Sequence, residues 1–169
     1  MSGYDGAGYE GARYEGGCQC GHVRYRLDDE PFAVHCCHCR TCQRESGSAF
    51  ALNGLIEADR LTILAGEPVR VETPSDSGKG QFIARCPQCQ VALWSHYGGM
   101  GEKGSFVRIG TLDNPDAFAP DIHIFTRSKQ PWVVIAEQAN VREVFYSQTD
   151  YDALFGEARA ARYRALRGL

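Results

Sequence analysis

Eight cysteines stand in three groups along the sequence, and their spacing is typical of metal sites. Thiolates two or three residues apart can bind one ion together, and four of them in a tetrahedron make a closed structural zinc site. A lone C-x-x-C also occurs in redox proteins, but this one lies between predicted strands and not at the start of a helix. Zinc is therefore the predicted occupant. The groups, in chain order, are Cys18 and Cys20; Cys36, Cys37, Cys39 and Cys42; and Cys86 and Cys89.

The spacing alone does not fix which of these groups share an ion. Cys37, Cys39 and Cys42 are close enough in sequence to hold one ion without other residues. Such a three-thiolate site keeps one position vacant for water or substrate, which a catalytic zinc requires. This division leaves four thiols from two distant segments for a closed site: Cys18, Cys20, Cys86 and Cys89.

Cys36 is the odd thiol. It precedes Cys37 directly in a predicted strand, where adjacent side chains point to opposite faces. If Cys36 filled the vacant position of the second site, that site would also be structural. We expect instead that Cys36 is a small buried residue outside both sites.

The zinc ligands must be positioned by short strands, which dominate the sequence from residue 13 to residue 148. Alternation is clearest in HVRYRL, where Val23, Tyr25 and Leu27 share one face. Residues 74–80 have the composition of a loop. The pattern predicts a mostly β, zinc-binding domain. Its expected strands are residues 22–27, 32–35, 50–57, 61–64, 69–73, 81–86, 91–97, 105–110, 122–126 and 132–135.

The two ends of the chain differ from this middle part. Residues 1–12 are rich in glycine and predict a disordered tail. Residues 149–169 predict a C-terminal helix that docks by one face on the domain, with Thr149 or Asp150 as its cap. The apolar residues at helical spacing are Tyr151, Leu154, Phe155, Ala158, Ala165 and Leu166.

Composition excludes several classes of function. The net charge of -3 disfavours a nucleic-acid partner, because phosphate binding needs a basic surplus. No apolar run is long enough to cross a membrane, and the first ten residues lack the pattern of a secretory signal. Many clustered cysteines without an export signal indicate a reducing compartment, and we expect a cytoplasmic protein.

Five sequence blocks carry a resemblance to a known family. They are GGCQCGHVRYRL at 16–27, CHCRTCQRESGSAF at 37–50, RCPQCQVALW at 85–94, IGTLDNP at 109–115 and HIFTRSKQPW at 123–132. Together, in this order, they resemble the glutathione-dependent formaldehyde-activating enzyme family, which includes the centromere protein V group. The resemblance runs from about Tyr14 to Val134.

The resemblance implies a β-tent fold, in which zinc clamps antiparallel sheets. In this family the C-x-C and C-x-x-C pairs share a structural zinc, and the CHCxxC knuckle holds a catalytic zinc by three thiolates. The second set corresponds to Cys37, Cys39 and Cys42, which agrees with the division reached from spacing. One residue departs from the family pattern: Gln90 stands where glycine is usual. Glycine there would accept a left-handed backbone, whereas glutamine does so only at a steric cost, so the local turn is expected to differ.

The activity implied by the resemblance is the joining of glutathione to formaldehyde, and its reverse is a carbon–sulfur lyase reaction. Three thiolates leave a zinc ion with a net negative charge, so we expect it to bind and orient a thiol rather than to generate hydroxide. Glutathione carries two carboxylates, which call for cations near the knuckle. The candidate glutathione contacts are Arg40, Arg44, Lys129, His123 and Trp132.

Two other interpretations stay open. A zinc-stabilised binding module without catalysis would have two closed sites, and the acidic composition argues against a chromatin role for it. An enzyme of the same fold could also act on another thiol or another small aldehyde, since fold does not fix substrate. A homodimer is compatible with each of these interpretations.

Overall fold

A computed structural model describes residues 14–169, so the predicted tail at residues 1–12 lies outside the described residues. The described chain forms ten strands and two α-helices. The strands are β1 (Tyr14–Gly17), β2 (Arg24–Leu27), β3 (Ala33–Cys37), β4 (Ala51–Glu57), β5 (Leu61–Ala65), β6 (Val69–Thr73), β7 (Gln81–Arg85), β8 (Ala92–Tyr97), β9 (Gly104–Arg108) and β10 (Ile122–Ile124). The helices are α1 (Arg40–Ser46) and α2 (Tyr151–Arg167).

The strands form two sheets. The larger sheet has seven strands in the order β10-β3-β4-β9-β8-β7-β6, and the smaller sheet has the order β1-β2-β5. All paired strands are antiparallel except β10 and β3, which run parallel. The prediction of a mostly β fold with a C-terminal helix is confirmed.

Both faces of the large sheet are covered by other parts of the protein, and the residues of β3 pack into the two cores on either side of it. Every residue of β3 is buried. Ala33 and Cys37 belong to the core that includes the aromatic residues of α2, whereas Val34 belongs to the core beneath the small sheet. Because side chains alternate along a strand, consecutive residues of β3 serve opposite layers of the protein.

Helix α2 is present as predicted, but its buried face differs from the predicted one. Tyr151 and Phe155 are buried as expected, whereas Ala158 and Ala165 are exposed. Gly156 has a φ of 74° inside the helix, which breaks the regular turn and rotates the second half. Ala160 and Tyr163 consequently occupy the buried positions there. The cap also differs: Ser147 and Asp150 form a capping box around a preceding 3-10 turn.

The strand predicted at residues 132–135 is wrong. This described segment forms no strand, and Trp132 and Val134 are 72% and 92% exposed. The free edge of β10 is instead used by residues 140–144: His123 donates its backbone N–H to the Asn140 carbonyl at 2.8 Å, and Phe125 donates to Val144 at 2.8 Å. A later segment thus occupies the edge that the predicted strand needed.

Helix α1 is a finding that the sequence patterns did not predict. Cys39 is its N-cap, and the Cys39 sulfur accepts the backbone N–H of Cys42 at 3.3 Å. Gly47 ends the helix with a φ of 64°. The cysteine knuckle therefore continues directly into a helical turn that fixes the third thiol.

Across residues 14–169, none of the helices combines the length and the apolar character needed to cross a membrane.

Candidate metal centres

Two of the cysteine groups meet at one edge of the molecule and form the four-cysteine cluster. Their sulfurs all lie within 4.8 Å of one another, with 3.5 Å between Cys18 and Cys20 and 3.7 Å between Cys20 and Cys86. Cys18 precedes β2 and Cys86 follows β7, so the cluster joins the small sheet to the large one. Cys20 is exposed and Cys89 half-buried, so this cluster is at the surface.

The two halves of the four-cysteine cluster are similar turns. Cys18 donates its backbone N–H to the Val23 carbonyl at 3.0 Å, and Cys86 donates to the Val91 carbonyl at 3.1 Å. Backbone amides also point at the sulfurs. The Val91 amide is the main cause that lowers the pKa of Cys89 to about 6. Amide donors of this kind stabilise thiolates, which are the form that binds metal.

The turn at Gln90 has the left-handed geometry that the family's glycine would allow. Gln90 has a φ of 61°. Its backbone N–H reaches the Cys86 carbonyl at 3.0 Å, and its side chain donates to the Pro87 carbonyl at 3.0 Å. The chain thus forms the left-handed turn even though a side chain is sterically unfavourable at a positive φ.

The third group forms the three-cysteine cluster, in which the sulfurs of Cys37, Cys39 and Cys42 again lie within 4.8 Å of one another. Cys37 comes from the end of β3, Cys39 from the N-cap of α1, and Cys42 from its first turn. All three residues are buried. Strand, cap and helix therefore converge on one point.

Charge in the three-cysteine cluster is concentrated on Cys42. Hydrogen bonds from the Cys37 and Cys39 thiols lower the pKa of Cys42 to about 3, with smaller help from the Arg108 cation and the Tyr97 hydroxyl. Hydrogen bonding to Cys39 is the main cause that raises the pKa of Cys37. The neighbouring thiols thus favour a thiolate at Cys42, whereas ionising all three sulfurs together requires a cation.

The three-cysteine cluster lines a cavity of ≈ 330 Å³, which is within the range of small-molecule sites of about 300–1,000 Å³. Much of its wall is aromatic. Phe125 is part of this wall and has a φ of 55°, an unusual backbone for a bulky residue. The aromatic residues of the wall are Tyr97, Phe106, Phe125, Phe145 and Tyr163.

The cavity carries charged side chains that the sequence patterns did not single out. Lys79 and Asp76 belong to the loop at residues 74–80, and Arg167 lies at the end of α2. The loop composition was visible in the sequence, and loops often carry binding residues, but nothing in the sequence placed this loop beside the knuckle. Arg167 lies outside all the motif blocks.

The glutathione contacts predicted from the sequence lie elsewhere among the described residues, and none of them lines this cavity. Arg40 and Arg44 are exposed, and Arg40 donates to Gln43 at 2.7 Å. The Lys129 ammonium donates to the carbonyls of Gln130 and Val133, at 3.2 and 2.7 Å. Trp132 is exposed. Their role in glutathione binding stays a prediction.

The fifth of these predicted contacts, His123, contacts His38 instead. The His38 and His123 rings stack, with centroids 5.3 Å apart, and the Nε2 atom of His38 lies 3.0 Å from Nδ1 of His123. Burial is the main cause that lowers the pKa of His38, to about 4, and the pKa of His123 is lowered for the same reason. Cys36 is buried as expected, but it is not isolated, since its sulfur lies 3.6 Å from Nε2 of His38.

Comparison with known proteins decides the family. The sequence model of the glutathione-dependent formaldehyde-activating enzymes matches residues 13–128, which is more than half of the chain. The chain belongs to this family. All seven residues of the four- and three-cysteine clusters lie within the matched region, and the family name suggests glutathione-dependent formaldehyde activation.

Other comparisons add less. No curated protein shows a significant match to the sequence. Among solved structures, a Rhodobacter sphaeroides protein is similar, with 17% sequence identity and a TM-score of 0.45. The matched region covers 59% of this chain and 87% of that chain.

The Gln90 turn gives a direct prediction about stability. Replacing Gln90 with glycine removes a left-handed side chain, which costs about 1–2 kcal/mol, and adds backbone entropy to the unfolded chain, about 0.5–1 kcal/mol. We expect the Gln90→Gly variant to have a free energy of unfolding higher by roughly 0.5–1 kcal/mol, measured by urea denaturation with metal present.

The Gln90→Val variant is the matched control. Its β-branched side chain is less compatible with a positive φ, so it should be less stable than the wild type. A Gln90→Gly variant that is less stable than the wild type would show that the glutamine hydrogen bond to Pro87 outweighs the backbone cost.

Proposed function

We propose that this chain catalyses the addition of glutathione to formaldehyde at the three-cysteine cluster, and the reverse cleavage of the carbon–sulfur bond. One observation carries the proposal: the three-cysteine cluster lines a cavity, whereas the four cysteines Cys18, Cys20, Cys86 and Cys89 are not among the lining residues described. A metal site with three protein ligands that faces a cavity leaves a coordination position for a substrate, whereas a site with four protein ligands stabilises the fold.

The donor sets fit zinc at both clusters. Each consists of cysteine sulfurs alone, brought within 4.8 Å of one another by turns whose amides favour thiolates. We propose that Cys18, Cys20, Cys86 and Cys89 hold a structural ion and that Cys37, Cys39 and Cys42 hold a second. When bound at the second site, zinc would supply a position for a thiol sulfur and lower the pKa of that thiol.

The protein's own charges can bind glutathione in the cavity. Lys79 and Arg167 offer cations for its two carboxylates, and Asp76 offers an anion for its ammonium group. Asp76 also accepts a hydrogen bond from the Thr41 hydroxyl, which holds its carboxylate towards α1. This arrangement would leave the glutathione thiol free to reach the sulfurs at the base of the cavity.

The reaction needs no net proton from the protein. The thiol sulfur forms a bond to the formaldehyde carbon, the carbonyl electron pair moves to oxygen, and the thiol proton ends on that oxygen. The hydroxyls of Tyr97 and Thr41 line the cavity, but Tyr97 hydrogen-bonds to Cys42 and Thr41 donates to Asp76, so either hydroxyl would have to exchange its acceptor before it donated to the developing oxygen. The aromatic wall would limit access of water, which competes for the aldehyde.

Arg108 is suited to balance the charge of the site. Three thiolates around a dication leave one negative charge, and Arg108 is the cation that acts on Cys42. Its guanidinium is held by hydrogen bonds to the Asn53 side chain and to the Ser95 hydroxyl, the latter at 3.0 Å. We propose that it stabilises the anionic cluster without contacting the substrate.

Removal of one thiol of the cluster tests the proposed function. In the Cys42→Ser variant the site loses one of its three proposed thiolate ligands. We expect the enzymatic exchange between glutathione and its formaldehyde adduct, measured by exchange NMR above the spontaneous rate, to fall by at least about 100-fold, or roughly 3 kcal/mol.

The Cys20→Ser variant is the control for that experiment. It weakens the exposed four-cysteine cluster, so we expect lower thermal stability but nearly unchanged activity per folded molecule. Full activity in the Cys42→Ser variant would remove the three-cysteine cluster from the mechanism and favour a binding module.

The charges of the cavity make a second prediction. In the Lys79→Met variant a carboxylate of glutathione loses its cation while the sulfurs are untouched. We expect KM for glutathione to rise by roughly 5- to 10-fold with kcat little changed, because a charge-assisted contact contributes about 1–1.4 kcal/mol.

The Arg44→Met variant tests the alternative from the sequence. Arg44 is exposed and does not line the cavity, so it should keep the wild-type KM. A rise in KM for Arg44→Met but not for Lys79→Met would restore the sequence-based prediction of the glutathione site.

A further inference from the structure

The face of β3 opposite the cavity carries a third group of possible ligands. Strands β3 and β10 run in parallel with Cys36 directly beside His123. His38 follows Cys36 by two residues, so an extended chain brings both side chains to the same side. Cys37, between them, points the other way and joins the cavity site. Strand geometry alone therefore brings Cys36, His38 and His123 together.

The distances in this group match those between the ligands of one metal ion. Nε2 of His38 lies 3.6 Å from the Cys36 sulfur and 3.0 Å from Nδ1 of His123, and all three atoms lie within 4.8 Å of one another. Zinc bonds of 2.3 Å to sulfur and about 2.0–2.1 Å to nitrogen, in a tetrahedron, separate neighbouring ligand atoms by about 3.3–3.6 Å. To hold one ion, the two nitrogens would have to move apart by about 0.3 Å.

We propose that Cys36, His38 and His123 form a third metal site, for Zn²⁺ or a similar borderline ion, distinct from the two cysteine clusters. Cys36 and His38 are buried, whereas His123 is half-buried, so the group is reached by solvent through His123. One thiolate and two neutral imidazoles leave a bound dication with a net positive charge. This site would therefore be the stronger Lewis acid of the chain.

Ion binding at this site displaces two protons, one from the Cys36 thiol and one from the bond between the two imidazoles. The Cys36 thiol gives up its proton to solvent when its sulfur binds the ion. The N–H that bridges the two imidazoles moves to the other nitrogen of the same ring, so both histidines stay neutral. One proton is thus released for each ion bound, and no oxidant or reductant is needed.

One nearby charge opposes an ion at this site. The Lys129 ammonium acts on His38 and disfavours a further positive charge there. It is held by two backbone carbonyls rather than by an acidic side chain, so its charge is not offset by those contacts. The third site should consequently bind more weakly than the two sulfur clusters, and removal of the lysine charge should strengthen it.

Native mass spectrometry of the full chain, at a fixed free Zn²⁺ concentration, tests the proposal by counting ions per folded molecule. We expect both Cys36→Ala and His123→Gln to hold one ion fewer than the wild type. His96→Gln is the control, because His96 is also a half-buried histidine on a strand but bonds only to the Gly104 carbonyl at 3.1 Å in the described structure. It should keep the wild-type count.

The Lys129→Met variant adds a second measurement, the free Zn²⁺ concentration at which the third ion binds, which would not exist if the three residues only formed hydrogen bonds. It should reach the higher ion count at a free Zn²⁺ concentration roughly 5- to 10-fold lower than the wild type needs. An unchanged count in His123→Gln would overturn the site and leave the three residues as a hydrogen-bonded core. His123→Gln decides the matter even if Cys36→Ala fails to fold, because His123 is only half-buried.

Discussion

The close approach of cysteine sulfurs in two clusters constrains how the strands and helices of this protein can be arranged. In each cysteine cluster every sulfur lies within 4.8 Å of the others. Thiols this close cannot all ionise without a cation, and each thiol that stays protonated loses the advantage of its amide donors. Cys18 and Cys86 bring together the two sheets, and Cys37 and Cys42 bring together a strand and a helix. The proposed zinc ions would therefore decide both how the layers are joined and where a substrate thiol can be bound.

Successive side chains of strand β3 point to opposite faces of the sheet, so this strand contributes residues to two different sites. Cys37 points to the layer of α2 and lines the cavity, whereas Cys36 points to the opposite layer and lies beside His123. Two adjacent thiols thus belong to two separate environments, one rich in sulfur and one of mixed ligands. On the first side, the three cysteines and charged residues such as Lys79 line the cavity in which we propose the thiol chemistry.

The sequence predicted the parts of this molecule that depend on local spacing. Alternating residues located nine of the ten described strands closely enough to identify them, and the close cysteines of the knuckle predicted one cluster. The errors arose where distant segments compete. Residues 132–135 had the composition of a strand, but residues 140–144 took the edge of β10. Gly156 interrupts the helix, so the buried positions after it could not be predicted from helical periodicity. Lys79 lines the cavity because the sheet places its loop there, which the sequence did not indicate.

The proposed chemistry requires that the three-cysteine cluster holds an ion with a position open to a thiol. Cobalt(II) in place of zinc makes this testable, because the visible absorption of the ion responds to each sulfur that binds it. We expect glutathione to change the cobalt spectrum in a saturable way in the wild type, and we expect no such change in a protein with Cys42 replaced by serine. A wild-type spectrum that glutathione leaves unchanged, with cobalt present at the three-cysteine cluster, would show that the ion has no position open to a thiol.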